Sequence, residues 1–286
     1  MVQIIADTLS SIPVEEARTL GLPYLPQIII FGEKSYRDDI EMDSESFLLQ
    51  LKKSSELPKT AAPYPSLYNP IYENLLKKGE TILVICPPSK VSGTVRSAEV
   101  AAKDFPNADI HVLDTTVIAA ALGTIVKKGM QWAKNGDDVK TIINKINEMA
   151  ARNRTYFLLD TLEYLKRGGR IGAASALVGG IMQVKPILQF KDGEVQIFEK
   201  QRTKAKAFKR LVEIVEEECP KSGDAELAIL QGGAMIEAKS LKTELERILE
   251  IKNIPIFTVP PAILVHGGPG VIGVSFFVNQ KNMIKQ

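Results

Sequence analysis

The sequence is poor in the residues that cross-link chains or bind soft metals. Only two cysteines, Cys86 and Cys219, occur among its 286 residues, and they lie far apart without the spacing of a CxxC pair. Neither a disulfide framework nor a thiolate metal site is therefore indicated. We expect two reduced, structural thiols, and we expect no metal and no cofactor.

The chain also lacks an excess charge of either sign and a long hydrophobic run. Lysine and arginine number 36 against 34 aspartates and glutamates, so no broad positive field favours nucleic acid or an anionic membrane. The most apolar stretches, VIAAALGTIV and AASALVGGIMQV, are too short and too interrupted to span a bilayer. The N-terminus MVQIIADTLSSIP does not resemble a signal peptide. These absences predict a cytoplasmic protein with no nucleic-acid partner and no stable membrane insertion.

What the first half does contain is an alternation of short apolar strands with helical patterns. The length and the 45% share of hydrophobic residues favour two modest cores over one. Continuous apolar strands belong to a sheet covered on both faces, and helices between them imply parallel pairing. We therefore predict an α/β fold whose first domain has a mostly parallel, doubly wound sheet. The predicted strands are 2–6, 81–86, 110–114 and 156–160, and the predicted helices follow Asp43 and cover 66–79, 116–134 and 137–152.

The second half has a different pattern. In KPILQFKDGEVQIFEKQRT, two strand-like runs flank Asp192-Gly193, a dipeptide that tolerates positive φ and favours a tight hairpin. A mixed-sheet α/β domain is therefore predicted, with domains at 1–154 and 155–286. Its other predicted elements are a helix at 204–218, a strand at 226–231, a helix at 235–252 and strands at 255–258 and 271–278.

Three polar segments follow predicted parallel strands, so we expect them on one rim of the sheet, where ligands bind in such folds. They are Asp7-Thr8, Ser89 to Thr94, and Asp114-Thr115-Thr116. In Ser92-Gly93-Thr94, N–H groups at a helix start, hydroxyl donors and a glycine favour a phosphate or a carboxylate. The alternative is that Ser92 only caps its helix. The turn has neither P-loop nor GxGxxG spacing, so it does not indicate a nucleotide.

Four other residues are candidates for structure or for function. His111 alternates with apolar neighbours in a predicted strand, which favours a structural role. His266 lies between an apolar run and a glycine-rich loop, where we expect an exposed imidazole, either as a turn residue or as a ligand contact. Arg170 follows Gly168-Gly169 and is either a solvated base or a grip for a carboxylate or phosphate. Thr60 has the only polar side chain at the centre of the loop LPKTAAPYPS.

Taken together and in order, seven segments resemble the DegV family of fatty-acid-binding proteins over residues 2 to about 278. The three most specific pieces are SGTVRSA, LEYLKRGGRIG and HGGPGVIGV, because three matches in the right order rarely arise by chance. The other segments are ADTLSSIP, YRDDIEM, PKTAAPYPS and LDTTV.

The resemblance implies two α/β domains that enclose one long-chain acyl group. It implies that the hydroxyls of Thr60 and Ser92 hold the fatty-acid carboxylate, with the Gly93 backbone beside them, His266 within reach and Arg170 at the rim. It further implies a carrier that presents the fatty acid to a separate dihydroxyacetone-kinase-like fatty-acid kinase subunit. That kinase forms an acyl-phosphate for phospholipid synthesis, so this chain is expected to be a lipid-binding subunit and not itself an enzyme.

An enclosed acyl chain needs an apolar tunnel, in which each buried CH₂ contributes roughly 0.8 kcal/mol before ordering costs. Ordinary core packing is the alternative role for every candidate. The candidates for its lining are Leu162, Ile171, Leu177, Ile181, Met182 and Ile272.

The sequence departs from the family pattern near the expected carboxylate. The usual T-S-Q-P loop is Thr60-Ala61-Ala62-Pro63 here, the opening D-S-T-A-D is Asp7-Thr8-Leu9-Ser10-Ser11, and the D-G turn is Asp38-Asp39. The change in the loop removes two polar side chains near the expected carboxylate, and all three changes spare Thr60, Ser92, Arg170 and His266. They leave open how the head group is contacted and whether this member serves a kinase.

Two other functions are compatible with the same residues. In the first, Ser92 is the nucleophile and His266 the base of an acyl hydrolase or transferase, although the chain has no GxSxG elbow and no clear carboxylate to orient the histidine. In the second, the protein is a lipid-sensing regulator that uses the pocket without a kinase.

Overall fold

The computed structural model of the protein describes residues 1–177, 184–221 and 225–279. The strands are β1 (Val2–Asp7), β2 (Tyr24–Leu25), β3 (Ile28–Phe31), β4 (Lys34–Arg37), β5 (Lys59–Ala61), β6 (Thr81–Cys86), β7 (Ile110–Asp114), β8 (Asn153–Leu158), β9 (Lys185–Lys191), β10 (Glu194–Gln201), β11 (Ala228–Gly232), β12 (Ile256–Thr258) and β13 (Val271–Phe277). The α-helices are α1 (Val14–Thr19), α2 (Ser44–Lys53), α3 (Pro65–Leu76), α4 (Thr94–Ala102), α5 (Ala119–Lys134), α6 (Val139–Ala151), α7 (Glu163–Arg167), α8 (Lys204–Glu218), α9 (Met235–Leu249) and α10 (Pro261–Gly267), and the short 3₁₀ helices are η1 (Thr8–Ser10) and η2 (Gly172–Leu177).

The first sheet has four parallel strands in the order β2-β1-β6-β7, with helices on both faces. Because strand side chains alternate, Ile4 and Leu83 pack with α5 and α6 on one face. Ile5 and Val84 pack with α3 and α4 on the other. This confirms the predicted doubly wound parallel sheet. Strand β2 lies on one side of β1, and strand β6 lies on the other side. The order of the strands therefore reverses at β1, and the carboxyl ends of β1 and β6 form a topological switch point.

The second sheet has six strands in the order β10-β9-β8-β13-β11-β12 and is mixed, since only β11 and β12 pair in parallel. Helices α8 and α9 cover one face, where they pack against alternate residues such as Tyr156 and Val274. The other face presents Phe157, Leu230 and Val271 to residues of the first half. The predicted mixed α/β arrangement is therefore confirmed.

The tight hairpin between β9 and β10 has the predicted turn, since Asp192 and Gly193 have φ of 53° and 77°. The bounds predicted for β6, β7 and α8 match the structure. Strand β8 was predicted among the parallel strands of the first half, but it belongs to the second sheet, where it pairs antiparallel with β13 and β9. It begins at Asn153, three residues earlier than predicted, because its polar start pairs with β13. The division at 154/155 stays a prediction, and it falls within β8.

Two of the features that were not predicted lie beside the cavity described below. A three-stranded antiparallel sheet, ordered β4-β3-β5, lies between β2 and α3 in the sequence, and it contacts α10. Helix α10 occupies a segment that was predicted to be an apolar run and a loop. Its start has Pro261 at the first helical position, which is the usual proline signal for a helix N-terminus.

Both cysteines are buried and free. His111 is half-exposed at the surface, where its Nε2 lies 2.8 Å from Asp109 Oδ1. Over the described ranges, none of the helices is long and apolar enough to cross a membrane. Over the same ranges, no cluster of three or more His, Cys, Asp or Glu side chains has the arrangement of a metal site.

Candidate functional site

A cavity lies between the open face of the six-stranded sheet and the loops of the first half, and its empty space, including the part that is open to solvent, is about 1000 Å³. Most of its lining is apolar, and the polar side chains come from loops and helix ends. The lining residues are Leu9, Gln27, Thr60, Ala62, Val91, Ser92, Gly93, Ile118, Ala119, Thr155, Phe157, Leu159, Leu165, Arg170, Phe190, Val195, Leu230, Val259, Ala262, Ile263, His266, Gly267 and Val271.

Strand alternation supplies the apolar wall. On β8, Phe157 faces the cavity, and Phe190, Leu230 and Val271 extend this wall along β9, β11 and β13. On β8, β11 and β13, the neighbouring residues Tyr156, Ile229 and Ile272 point to α8 and α9 instead. The sheet therefore offers a broad hydrophobic surface that a linear alkyl chain can cover.

Thr60 and His266 meet at the polar part of this cavity. Thr60 lies on β5 and His266 in the last turn of α10, and Thr60 Oγ1 is 2.9 Å from His266 Nε2. The imidazole is largely buried, so the expectation of an exposed ring was wrong. Helix α10 packs against α7, β3 and β5, which removes His266 from solvent.

The buried imidazole is neutral. Burial, with a smaller contribution from the Arg170 charge, lowers the pKa of His266 to about 4. Its Nδ1 is buried and has no hydrogen-bond partner within the described residues. A buried N–H without a partner is costlier than a buried lone pair without one. The proton therefore belongs on Nε2, which donates to Thr60 and leaves the Thr60 hydroxyl hydrogen free for the cavity.

Each of the two glycines before Arg170 is required for a different physical reason. Gly168 has φ of −74°, which any residue adopts, but a Cβ there would overlap Nδ1 of His266. Gly169 has φ of 67° and open space around its Cα, so it serves the left-handed turn. Gly168 thus makes room for the imidazole, a role that the sequence pattern of a helix C-cap does not reveal.

The Ser92 turn reaches the cavity from the end of β6. Ser92 Oγ accepts a hydrogen bond from the Thr94 N–H at 3.3 Å, as a serine at a helix start does, and it lines the cavity as well. Gly93 is the residue that caps α4, and a Cβ on it would lie 3.4 Å from Cβ of Ala62. The Ala61-Ala62 loop therefore packs directly beside the turn and brings Thr60 to the same part of the cavity.

Arg170 is held at the cavity edge by main-chain oxygens. Its Nε donates to Val91 O at 3.1 Å and its Nη1 to Gly168 O at 2.8 Å. In the parts of the chain that the structure describes, no carboxylate lies within salt-bridge distance of this guanidinium. Its positive charge is thus oriented beside Ser92 and His266 without neutralisation, which favours an anion in the cavity.

The tunnel-lining predictions have mixed outcomes. Leu162 and Ile171 belong to the core around the cavity but do not line it. Ile272 points to the opposite face of the sheet, because Val271 occupies the cavity side of β13, so its assignment to the tunnel is corrected. The side chain of Leu177, together with Ile181 and Met182, lies outside the described residues.

Sequence reasoning missed Gln27, which lines the cavity and belongs to a buried polar network. Its Nε2 donates to Asp7 Oδ2 at 2.6 Å and to Thr94 Oγ1 at 3.1 Å. Asp7 was expected on the rim, and the network confirms that the ends of β1 and β6 meet. No sequence signal points to Gln27, since it precedes a strand in an unremarkable apolar segment.

Two carboxyls of this network have raised pKa values. Burial raises the pKa of Asp7 to about 7, against hydrogen bonds from Thr94, Leu9 and Gln27 that favour the ionised form. Burial also raises the pKa of Asp38 to about 8, although the Thr8 hydroxyl and the Gln27 N–H donate to its Oδ1. The polar end of the cavity thus rests on groups that change protonation near neutral pH.

The geometry gives no support to a serine hydrolase. His266 bonds to Thr60 and not to Ser92, and within the described chain its Nδ1 has no carboxylate to orient it. A neutral imidazole held in this way positions a hydroxyl donor but has no partner for proton transfer.

The fold and the site together define an α/β protein with an apolar cavity whose polar end presents hydroxyls, a neutral imidazole and a guanidinium. The chain belongs to the DegV family, since the model of "Uncharacterised protein, DegV family" matches residues 1–279.

Relatives and solved structures agree with this assignment. A DegV domain-containing protein of Halalkalibacterium halodurans, BH3627, is 30% identical over 98% of this chain and 99% of its own. The structure of Bacillus subtilis DegV, a fatty acid binding protein, superposes with a TM-score of 0.85 at 30% identity, covering 97% of this chain and 99% of that one. A fatty-acid-binding DegV family protein of Thermus thermophilus gives 0.87 at 26% identity, with 97% and 99% covered.

Proposed function

We propose that this protein binds one long-chain fatty acid in the cavity, with the carboxylate at Thr60, Ser92, Gly93 and His266, and presents it to a separate fatty-acid kinase. The observation that supports this most is the hydrogen bond between Thr60 and His266, which lies at the polar end of a mostly apolar cavity. The B. subtilis and T. thermophilus relatives, which are fatty-acid-binding proteins of the same fold, supply the ligand class.

The two ends of the ligand are bound by different kinds of interaction with the protein. The tail lies against Phe157, Phe190, Leu230 and Val271, where each buried CH₂ contributes roughly 0.8 kcal/mol. The carboxylate accepts hydrogen bonds from neutral hydroxyls, each worth about 1.5–3 kcal/mol because the acceptor is charged. The tail therefore supplies most of the affinity, and the head-group contacts fix the orientation.

The head group stays nucleophilic in this arrangement. Hydroxyls hydrogen-bond a carboxylate without protonating it, and the neutral imidazole only orients the Thr60 hydroxyl, so an oxygen lone pair of the carboxylate remains available. In the proposed reaction, that oxygen attacks the γ-phosphorus of ATP held by the partner kinase, a P–O bond forms and ADP leaves. Arg170, which is oriented at the cavity edge, lies where it can attract the negative charge of the transferring group.

Access for the partner is consistent with the local surface. Gly169 is exposed, and so are Lys166 and Arg167 before it, while Arg170 is partly exposed. The turn after α7 therefore joins the solvent to the polar end of the cavity. A kinase that docks on this turn reaches the carboxylate without opening the apolar wall.

Titration of delipidated protein with a fatty acid tests the head-group assignment. Ser92→Ala and His266→Ala are expected to weaken binding about 10- to 100-fold. Thr243→Val, at an exposed position of α9 on the opposite side of the six-stranded sheet, serves as the control. Equal affinity of both variants and the wild type for the fatty acid would overturn the carboxylate assignment.

A pull-down with the cognate dihydroxyacetone-kinase-like subunit, followed by detection of acyl-phosphate, tests the carrier role. Arg170→Gln is expected to retain the fatty acid and to lose phosphorylation. A protein that binds the fatty acid and captures no kinase is a lipid sensor, and the carrier proposal then fails.

A further inference from the structure

Three oxygens link the buried start of the chain to the head-group site. Asp7 Oδ2 lies 2.8 Å from Thr94 Oγ1, and Thr94 Oγ1 lies 3.0 Å from Ser92 Oγ. Asp7 is 1% exposed and Thr94 is 1% exposed. Ser92, by contrast, lines the cavity. The three groups thus form a chain of hydrogen bonds from the core to the proposed carboxylate.

The number of hydroxyl hydrogens determines the direction of this chain of hydrogen bonds. Thr94 Oγ1 also accepts from Gln27 Nε2 at 3.1 Å, and the amide can only donate there. Thr94 has one hydroxyl hydrogen to share between Asp7 and Ser92. When Asp7 is ionised, Thr94 donates to it, and the 3.0 Å contact with Ser92 requires Ser92 to donate back to Thr94. Ser92 then offers only a lone pair to the cavity.

A proton on Asp7 reverses the chain. Asp7 Oδ2 then donates to Thr94, Thr94 donates to Ser92, and the Ser92 hydrogen points to the cavity. In this direction, Thr94 accepts from Asp7 and Gln27, and Ser92 accepts from the Thr94 hydroxyl and the Thr94 N–H. The Thr94 hydroxyl is then fully satisfied, and the Ser92 hydrogen becomes a donor for an anion in the cavity.

We propose that Asp7 is a positioning residue of the head-group site, and that its protonation, transmitted through the Thr94 hydroxyl, turns Ser92 from an acceptor into a donor toward the fatty-acid carboxylate. This inference rests on the proposed function. It adds a proton to the binding equilibrium, because a bound anion favours the protonated form of Asp7, and by reciprocity the protonated form binds the anion more tightly.

The surroundings of Asp7 shift its pKa to the neutral range, where a change in pH can alter its protonation. Burial raises its pKa to about 7, so both directions of the chain are populated near neutral pH. The other titratable groups that face it electrostatically are Asp38, Tyr24, Tyr68 and Cys86. Burial raises the pKa of each of the tyrosines and of Cys86, so they stay neutral. Asp38 is the one group among these that needs a control.

The test is the number of protons taken up when delipidated full-length protein binds palmitate or hexadecane-1-sulfonate, an anion that cannot itself take up a proton. Calorimetry near pH 7.5 in two buffers of different ionisation enthalpy gives that number. The wild type is expected to take up a substantial fraction of one proton, and its affinity to fall by up to about tenfold per pH unit above pH 7. Asp7→Asn and Thr94→Val should remove both effects, whereas Thr94→Ser should keep them.

The outcomes separate the two proposals. If the wild type binds the anions without proton uptake, or if Thr94→Val keeps the uptake, the role of Asp7 is overturned while the proposed function stands. If uptake is lost in Asp38→Asn and kept in Asp7→Asn, the proton belongs to Asp38 and the inference is wrong. If neither palmitate nor the sulfonate binds the wild type, the proposed function fails first.

Discussion

Thr60 and His266, 206 positions apart in the chain, share a 2.9 Å hydrogen bond at the polar end of the cavity. Strand β5, which carries Thr60, and helix α10, which carries His266, contact each other directly. This contact brings the two side chains together. With the proton of the neutral imidazole on Nε2, this bond leaves the Thr60 hydroxyl hydrogen for a ligand. Much of the chemistry proposed for this protein depends on that one relationship.

Replacing Thr60 by valine is expected to weaken fatty-acid binding. The variant keeps the side-chain shape but removes the donor to the carboxylate, so the affinity should fall about 10- to 100-fold. It also leaves Nε2 of His266 without its partner. Calorimetric titration measures the change, and Thr60→Ser serves as the matched control that retains the hydroxyl. An affinity of Thr60→Val equal to that of Thr60→Ser would show that the hydroxyl makes no contact with the ligand.

Gly168→Ala and Gly169→Ala should behave differently although they are neighbours. A Cβ at Gly168 overlaps the ring of His266, so the variant should displace the imidazole, weaken fatty-acid binding and cost about 1–3 kcal/mol of the free energy of unfolding. Gly169→Ala strains a left-handed turn with open space around it, at a cost of roughly 1 kcal/mol. Urea denaturation combined with ligand titration distinguishes them. Loss of binding in Gly169→Ala with none in Gly168→Ala would contradict the assignment.

Val271→Phe and Ile272→Phe test which face of β13 meets the acyl chain. Val271 lines the cavity, so a phenyl ring there should shorten the space for the tail and lower both the affinity and the chain length retained. Ile272 is fully buried against the α8 and α9 side, where a larger ring should overpack the core and cost about 1–3 kcal/mol. Mass spectrometry of the retained lipids and urea denaturation supply the two readouts. A shorter retained chain in Ile272→Phe alone would place the tunnel on the wrong face.

The stability of the protein should depend on the protonation of Asp38. Burial raises its pKa from 3.8 in the unfolded chain to about 8, so between these values the folded state holds a proton that the unfolded state has released. The free energy of unfolding should therefore fall as the pH rises through this range. Asp38→Asn removes this contribution, which amounts to at most about 1.4 kcal/mol per pH unit.

Asp138 should have the opposite effect on the pH dependence of the free energy of unfolding. Its pKa is lowered because it caps α6 and accepts the Thr141 N–H. Its stabilisation is present above the unfolded pKa and is lost as the pH falls in acid. Urea denaturation at a series of pH values compares Asp38→Asn and Asp138→Ala with the wild type. The account is wrong if Asp38→Asn leaves the slope between about pH 4 and 8 unchanged.

Much of the fold was predictable because its signals are local. Continuous apolar runs gave the β6 and β7 bounds, Asp192-Gly193 gave the hairpin turn, and Asp43 gave the start of α2, where it accepts the Ser46 N–H. The convergence of Ser92, Thr60 and His266 came instead from a resemblance between ordered motifs. Sequence spacing alone does not bring residues this far apart together.

The remaining features depend on long-range packing. The sheet of β3, β4 and β5 consists of strands of three or four residues, of which only β3 is an apolar run, and its pairing is fixed by tertiary contacts. Ile272 was assigned to the cavity because both faces of β13 are apolar, so the sequence does not distinguish its inward side from its outward side. Pro261 marks the start of α10 in the sequence, but the glycine-rich segment that follows favoured the prediction of a loop.

The most direct measurement is native mass spectrometry of the purified protein, followed by denaturing organic extraction and identification of what is released. The account predicts one fatty acid per chain, whose alkyl length fits the cavity and whose retention falls in Thr60→Val and Val271→Phe. A protein that is purified empty and that also rejects added fatty acids would contradict the account, although the fold and the family would stand.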